Sequence, residues 1–98
     1  VNYPIRNVIA VDVDGTLIHG SAVNDVLISW LRVKKEEGYE LILWSARGRD
    51  HARRAAKITG TETLFDAIIS KPGRIVDDLG WSWIKWTKII HPSRITNL

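Results

Sequence analysis

The chain predicts an open, mainly parallel α/β sheet, with four to five strands flanked by helices, in a single domain over residues 1–98. Three observations carry this. Short apolar runs alternate with segments whose apolar residues recur at three- and four-residue spacing. Polar residues capable of chemistry follow each run, where ligands bind at the carboxyl ends of parallel strands. Ninety-eight residues allow one modest core and leave little room for a second domain.

Val1 to Asn7 reads as a lead-in that Pro4 keeps extended. Residues 8–13, Val-Ile-Ala-Val-Asp-Val, form the first predicted strand, and Gly15 permits a sharp turn after it. Leu17 to Ser21 is a connecting loop. Val23, Val26, Leu27, Trp30 and Leu31 then mark one face of a helix over residues 22–37. Ser21 caps this helix, or Asn24-Asp25 lie in its first turn. Gly38 stops it.

Residues 40–44, Glu-Leu-Ile-Leu-Trp, form a second buried strand. A helix over 49–59 follows, with Ala52, Ala55, Ala56 and Ile58 on its packing side, and Gly60 closes it. Leu64 to Ile69 is a third strand or extended segment, punctuated by Lys71-Pro72-Gly73. Residues 74–76 form a short fourth strand ending in Asp77-Asp78. Asp77 stands only six positions after Lys71, whereas a helical crossover needs a dozen or more residues. The third strand is then irregular, or the chain crosses without a helix. The spacing of Trp81, Trp83 and Trp86 fits neither the helical nor the strand period, so Leu79 to Ile90 reads as a loop leading into a short helix or strand. Residues 91–98 read as a frayed terminus.

Composition excludes several classes. Hydrophobic residues make up 45% and charged residues 26%, as in ordinary globular chains. With no cysteine, disulfides and thiolate metal sites are ruled out. No apolar run approaches the roughly eighteen residues of a membrane span. No signal-peptide pattern opens the chain, so a cytoplasmic setting is the expectation. A net charge of +3 and a pI near 9.5 favour an anionic ligand, without naming nucleic acid.

The chemistry centres on Asp12 and Asp14, two carboxylates that leave the first strand together. Like charges so close need a cation, and a divalent metal with oxygen ligands, such as Mg²⁺, supplies one. Hydrolysis of a phosphate monoester needs a nucleophile, a proton donor for the leaving oxygen and positive charge around the phosphoryl group. Asp12 suits the nucleophile and a metal ligand, and Asp14 the acid/base. Asp77, with Asp78 beside it, would complete the metal site. Lys71 offsets charge, while Ser45 and the backbone amides after Ser45 and Gly15 hold phosphoryl oxygens, which brings Ala46 and Thr16 into the site.

Four segments carry a family resemblance. Asp12-Val13-Asp14-Gly15-Thr16 after an apolar strand resembles the first motif of the haloacid dehalogenase (HAD) superfamily. Leu41-Ile42-Leu43-Trp44-Ser45 resembles its second, Lys71-Pro72 its third and Ile75-Val76-Asp77-Asp78 its fourth, in the family's order. The short interval from Lys71 to Asp77 resembles small phosphatases of this superfamily, some of them phage-type. The resemblance implies a Rossmann-like core, Mg²⁺ dependence and aspartyl-phosphate chemistry. It also implies Asp12 as nucleophile, Asp14 as acid/base, Asp77 as metal ligand and the Asp14 backbone carbonyl as another ligand. Larger members carry a cap domain. Here 31 positions separate Asp14 from Ser45 and 26 separate Ser45 from Lys71, each filled by one helix, so no cap fits. The expected site is open, or covered by a neighbouring subunit of a homo-oligomer.

Each assignment has a plainer counterpart. Asp12 and Asp14 also fit a solvated turn, Ser45 a helix cap and Lys71 the surface. Asp78 fits a structural role as well as a metal contact. Arg47 and Arg49 suit either a second anionic part of the substrate or an exposed helix start. Arg53, Arg54 and Lys57 read as a solvated face, or as contacts to a nucleic-acid backbone. Trp30 and Trp44 read as core, and Trp81, Trp83 and Trp86 as tail packing or interface rather than base-stacking platforms. His19 is an exposed loop residue, and His51 and His91 lack any partner spacing that suggests a metal site. A receiver-like phosphoacceptor and an idle phosphate-binding module are the alternatives to a phosphatase. Within phosphatases, nucleotide or polynucleotide ends compete with sugar phosphates as substrate.

Overall fold

Residues 4–95 are described by a computed structural model of the chain. The first three residues of the lead-in and the last three of the expected frayed terminus lie outside this range. The first predicted strand is present as β1, Val8–Asp12. Beyond it the chain folds into a small hairpin, β2 (Ile18–His19) against β3 (Ala22–Val23), where a plain loop was expected. Gly20 makes this two-residue turn possible with φ +64°.

The hairpin consumes residues 22–23, so helix α1 starts later than its apolar pattern implies and spans Asp25–Glu36. Asn24 caps it through Oδ1, which accepts from the Leu27 N–H at 3.1 Å. Strand β4 is Glu40–Ser45, one residue longer than its apolar run. Helix α2 spans Arg49–Thr59, as its periodicity predicts, and ends on Gly60 in the left-handed conformation. Strand β5 is Ala67–Ser70, shorter than the predicted 64–69 segment and shifted toward its end. Leu64 and Phe65 before it are buried in the core instead of pairing in the sheet.

The sheet has three parallel strands in the order β1-β4-β5, not the four to five expected. Residues 74–76 form no strand, and residues 71–80 are all exposed. The reason is geometric. A strand parallel to β1 needs a crossover of a dozen or more residues, and the chain offers only Lys71-Pro72-Gly73 between Ser70 and the expected strand at 74–76. Asp77 and Asp78 therefore lie in a loop rather than at a strand end. Asp77 Oδ1 accepts from the Leu79 N–H at 2.8 Å and leads into a 3₁₀ helix over Gly80–Trp86. A second 3₁₀ turn spans Pro92–Arg94.

Both crossovers advance in the same direction across the sheet, which puts α1 and α2 on one face. Register neighbours share a face, so Ile9 and Val11 lie beside Leu41 and Leu43, with Ile68 next in line. Val11, Leu41 and Leu43 are buried there with Leu27, Leu31, Ala52, Ala55 and Ala56. The opposite face carries Val8, Ala10, Ile42, Trp44 and Ile69, all exposed or half-buried. Trp44 is thus not core, whereas half-buried Trp30 packs against the core as its spacing predicts. Ile58, placed on the packing side by spacing, is 73% exposed near the end of α2.

Asp66 joins α1 to the sheet. Its N–H donates to the Leu41 carbonyl, and its Oδ2 accepts from the Leu41 N–H, both at 2.8 Å. Lys35 Nζ, in the last turn of α1, lies 3.1 Å from Oδ1. Hydrogen bonds from Leu41 and then Lys35 favour the carboxylate, so its pKa is lowered.

Candidate active site

The carboxyl ends of β1, β4 and β5 form one rim, and four elements bring side chains to it. β1 stops at Asp12, and the next residues curl into a tight turn. The Thr16 N–H donates to the Val13 carbonyl at 3.1 Å, Leu17 N–H to Asp12 at 3.2 Å, and Ile18 N–H to Val13 at 3.0 Å. Gly15, at φ +79°, donates to the Ile18 carbonyl at 2.8 Å. Val13 and Leu17 anchor this turn in the core, while Asp14 is exposed. None of these bonds uses the Asp14 carbonyl. Asn24 braces the turn from the helix side, since its Nδ2 donates to the Thr16 carbonyl at 3.1 Å. One residue thus both caps α1 and holds the loop that carries Asp14.

The two carboxylates have different surroundings. Lys71, one residue past β5, has its Nζ 3.3 Å from Asp12 Oδ1. The same ammonium lies 5.8 Å from the centre of the Trp44 ring, and Trp44 is the register partner of Asp12. Trp44 therefore supports the lysine that faces Asp12. The Lys71 N–H donates to the Ser45 carbonyl at 2.9 Å, which fixes where its side chain begins. Asp14 meets a separate pair: His51 Nε2 lies 3.0 Å from Oδ2 and 3.3 Å from Oδ1, and Arg47 Nη1 lies 3.5 Å from Oδ1.

His51 was not singled out from the sequence, yet it touches a central carboxylate. Its signal was faint: it stands four positions after Arg47, at the start of α2, and both side chains reach Asp14. Its partner lies 37 residues away in the chain, beyond the reach of any local spacing pattern.

Ser45 is 1% exposed, and its Oγ accepts from the Arg47 N–H at 3.0 Å. It shapes the turn between β4 and α2. The Gly48 N–H donates to the Ser45 carbonyl at 3.1 Å, and Ser70 Oγ accepts from the Arg49 N–H at 2.8 Å. The Thr16 N–H is committed to its own turn. The Ala46 N–H meets no protein acceptor among the described residues, so it is a backbone donor available to an incoming oxyanion.

None of these contacts involves Asp77 or Asp78, and the Asp77 carboxylate is engaged by the Leu79 N–H. Among the described residues, no three histidine or acidic side chains gather as a metal-holding cluster. Mg²⁺ is commonly held through one or two carboxylates plus substrate oxygens, and it keeps several waters. Asp12, half-exposed with one oxygen facing Lys71, fits such a ligand. No helix among the described residues is long and apolar enough to cross a membrane. No protein family, curated protein or solved structure matches the chain.

Proposed function

We propose that the protein is a Mg²⁺-dependent phosphomonoesterase of HAD type, acting through an aspartyl-phosphate. The single observation that supports it most is the split environment of the paired carboxylates, one beside an ammonium and one beside an imidazole. Basic side chains from three other segments converge on the pair: Lys71 after β5, Arg47 before α2 and His51 within it.

Asp12 attacks phosphorus, and the bond to the leaving oxygen breaks as the aspartyl-phosphate forms. Asp14 gives the leaving oxygen its proton, then takes a proton from the water that attacks the aspartyl-phosphate. His51 and Arg47 hold the Asp14 carboxyl on the rim during both steps. Lys71 offsets charge on Asp12 and the phosphoryl oxygens, and the Ala46 N–H donates to one of those oxygens. Asp12 and the Asp14 carbonyl are the groups that would hold Mg²⁺. When bound, the metal neutralises phosphoryl charge and fixes the line of attack.

Turnover of p-nitrophenyl phosphate with Mg²⁺ tests the reading. Wild-type protein should turn over many equivalents and lose activity in excess chelator. A single stoichiometric phosphorylation would indicate a receiver-like phosphoacceptor, and full activity in chelator would reject the metal.

A further inference from the structure

The net positive charge of the chain arises in one segment. Residues 1–70 contain nine basic and nine acidic side chains, so they are neutral, whereas residues 71–98 contain five basic and two acidic ones. The whole net charge of +3 therefore belongs to the segment that begins with Lys71, the residue facing Asp12. Arg74, Lys85, Lys88 and Arg94 are all exposed. One of the two acids, Asp77, is already engaged by the Leu79 N–H.

The same segment holds three of the five tryptophans. In a 3₁₀ helix, side chains three apart align. Trp83 and Trp86 thus share one side and are half-buried, and the Trp83 indole N–H is buried without a partner. Trp81 lies off that side and is 71% exposed. It lines a cleft with Pro72, Gly73, Arg74, Ile75 and Gly80. Exposed Trp81 and exposed Arg74 thus line one cleft, which begins one residue downstream of Lys71. Farther along, Lys85 Nζ lies 4.5 Å from the centre of the Trp86 ring.

We propose that residues 71–94 form a docking surface for single-stranded nucleic acid, so that the substrate is the phosphorylated end of such a strand. The identity of the substrate rests on the phosphatase reading above; the docking surface does not. Exposed cations along a segment match a phosphate backbone, and an exposed aromatic ring beside a cation stacks an unpaired base. A duplex keeps its base faces stacked internally and offers Trp81 nothing comparable. Lys71 joins the two regions, because its backbone is tied to β4 while its ammonium faces Asp12.

The test uses the full chain and a fluorescently labelled, unphosphorylated ten-nucleotide oligothymidylate, in chelator, so that binding is read without turnover. Anisotropy should rise at low salt and fall steeply as salt increases, with the single strand preferred to its duplex. Trp81→Ala should weaken binding about fivefold or more, the range for loss of one base–aromatic stack. Arg74→Ala should weaken it and reduce the salt slope by about one. Neither variant should alter turnover of p-nitrophenyl phosphate. Oligonucleotides bearing 3′- or 5′-phosphate should show which end is used, and Trp81→Ala should raise KM for that substrate.

No anisotropy change at low salt, equal affinity for duplex, or unchanged affinity in Trp81→Ala would each overturn the docking surface. Sedimentation provides a second check: self-association that depends on Trp81, without oligonucleotide binding, would make this an interface between copies and reject the proposal. Binding without hydrolysis of any phosphate would keep the surface and remove the reaction. Hydrolysis of p-nitrophenyl phosphate without binding would do the reverse.

Discussion

Residues 8–70 and residues 71–95 follow different physical rules. The first region alternates strands and helices, buries a shared apolar core and is nearly neutral, with eight basic and nine acidic side chains. The second has two short 3₁₀ segments, no buried residue and all of the net charge. Its apolar side chains do not compensate, since Ile75, Val76, Leu79, Trp81 and Ile89 are all exposed. The comparison teaches that apolar content alone does not make a core. Leu43 and Val76 are both aliphatic and both follow a strand-like pattern, but only Leu43 has helices packed over it.

The largest expected effect breaks the first region's chemistry without its fold. Asp12→Asn should lower turnover of p-nitrophenyl phosphate on the order of 10³-fold or more. Its partner Lys71 is half-exposed, and such ion pairs contribute about 0–1 kcal/mol, so thermal unfolding should change little. Undiminished turnover would remove Asp12 as nucleophile.

The next effect tests the contrast directly. Leu43→Ala should cost about 2–5 kcal/mol in urea unfolding, because Leu43 is fully buried. Val76→Ala should stay within about 0.5 kcal/mol, the usual range for an exposed site. Equal losses would mean that the second region is packed in solution.

A smaller effect sits where fold and site meet. Asn24→Ala should destabilise the protein by about 1 kcal/mol through loss of the α1 cap. Asn24→Asp keeps the cap but replaces the Nδ2 donor to Thr16. It should retain more stability than Asn24→Ala while raising KM for a phosphate substrate. Identical stability in the two variants would separate the cap from the helix.

The smallest effect is confined to acid. Asp66 has its folded pKa lowered from 3.8. Its stabilising contribution is present above the ordinary carboxylate value and is lost as pH falls through the lowered folded value, because the unfolded chain binds the proton first. Unfolding midpoints followed from pH 5 to pH 2 should therefore decline more steeply in wild type than in Asp66→Asn. Parallel curves would show that Asp66 does not couple α1 to the sheet.

Much of the first region was legible. Helix α2 matches its expected span and closes on Gly60, because alanines at helical spacing and a terminal glycine are both local signals. The start of α1 was not legible, since Val23 satisfies the helical period while pairing with Ile18 in a hairpin. The tryptophan spacing resisted assignment because the segment is 3₁₀, a period of three. Of the expected site, the strand ends supplied Asp12 and Ser45, and Lys71 follows β5 directly. His51 was missed because its partner lies 37 residues away.

The sequence by itself determined the alternation of strands and helices, the parallel crossovers and the location of Asp12 at a strand end. These follow from periodicity and turn residues, which act over a few neighbours. Tertiary structure alone decided that the sheet stops at three strands, that Trp44 supports Lys71 instead of filling the core, and that His51 joins Asp14. Each of those depends on which surfaces meet in space, and a local pattern carries no record of that.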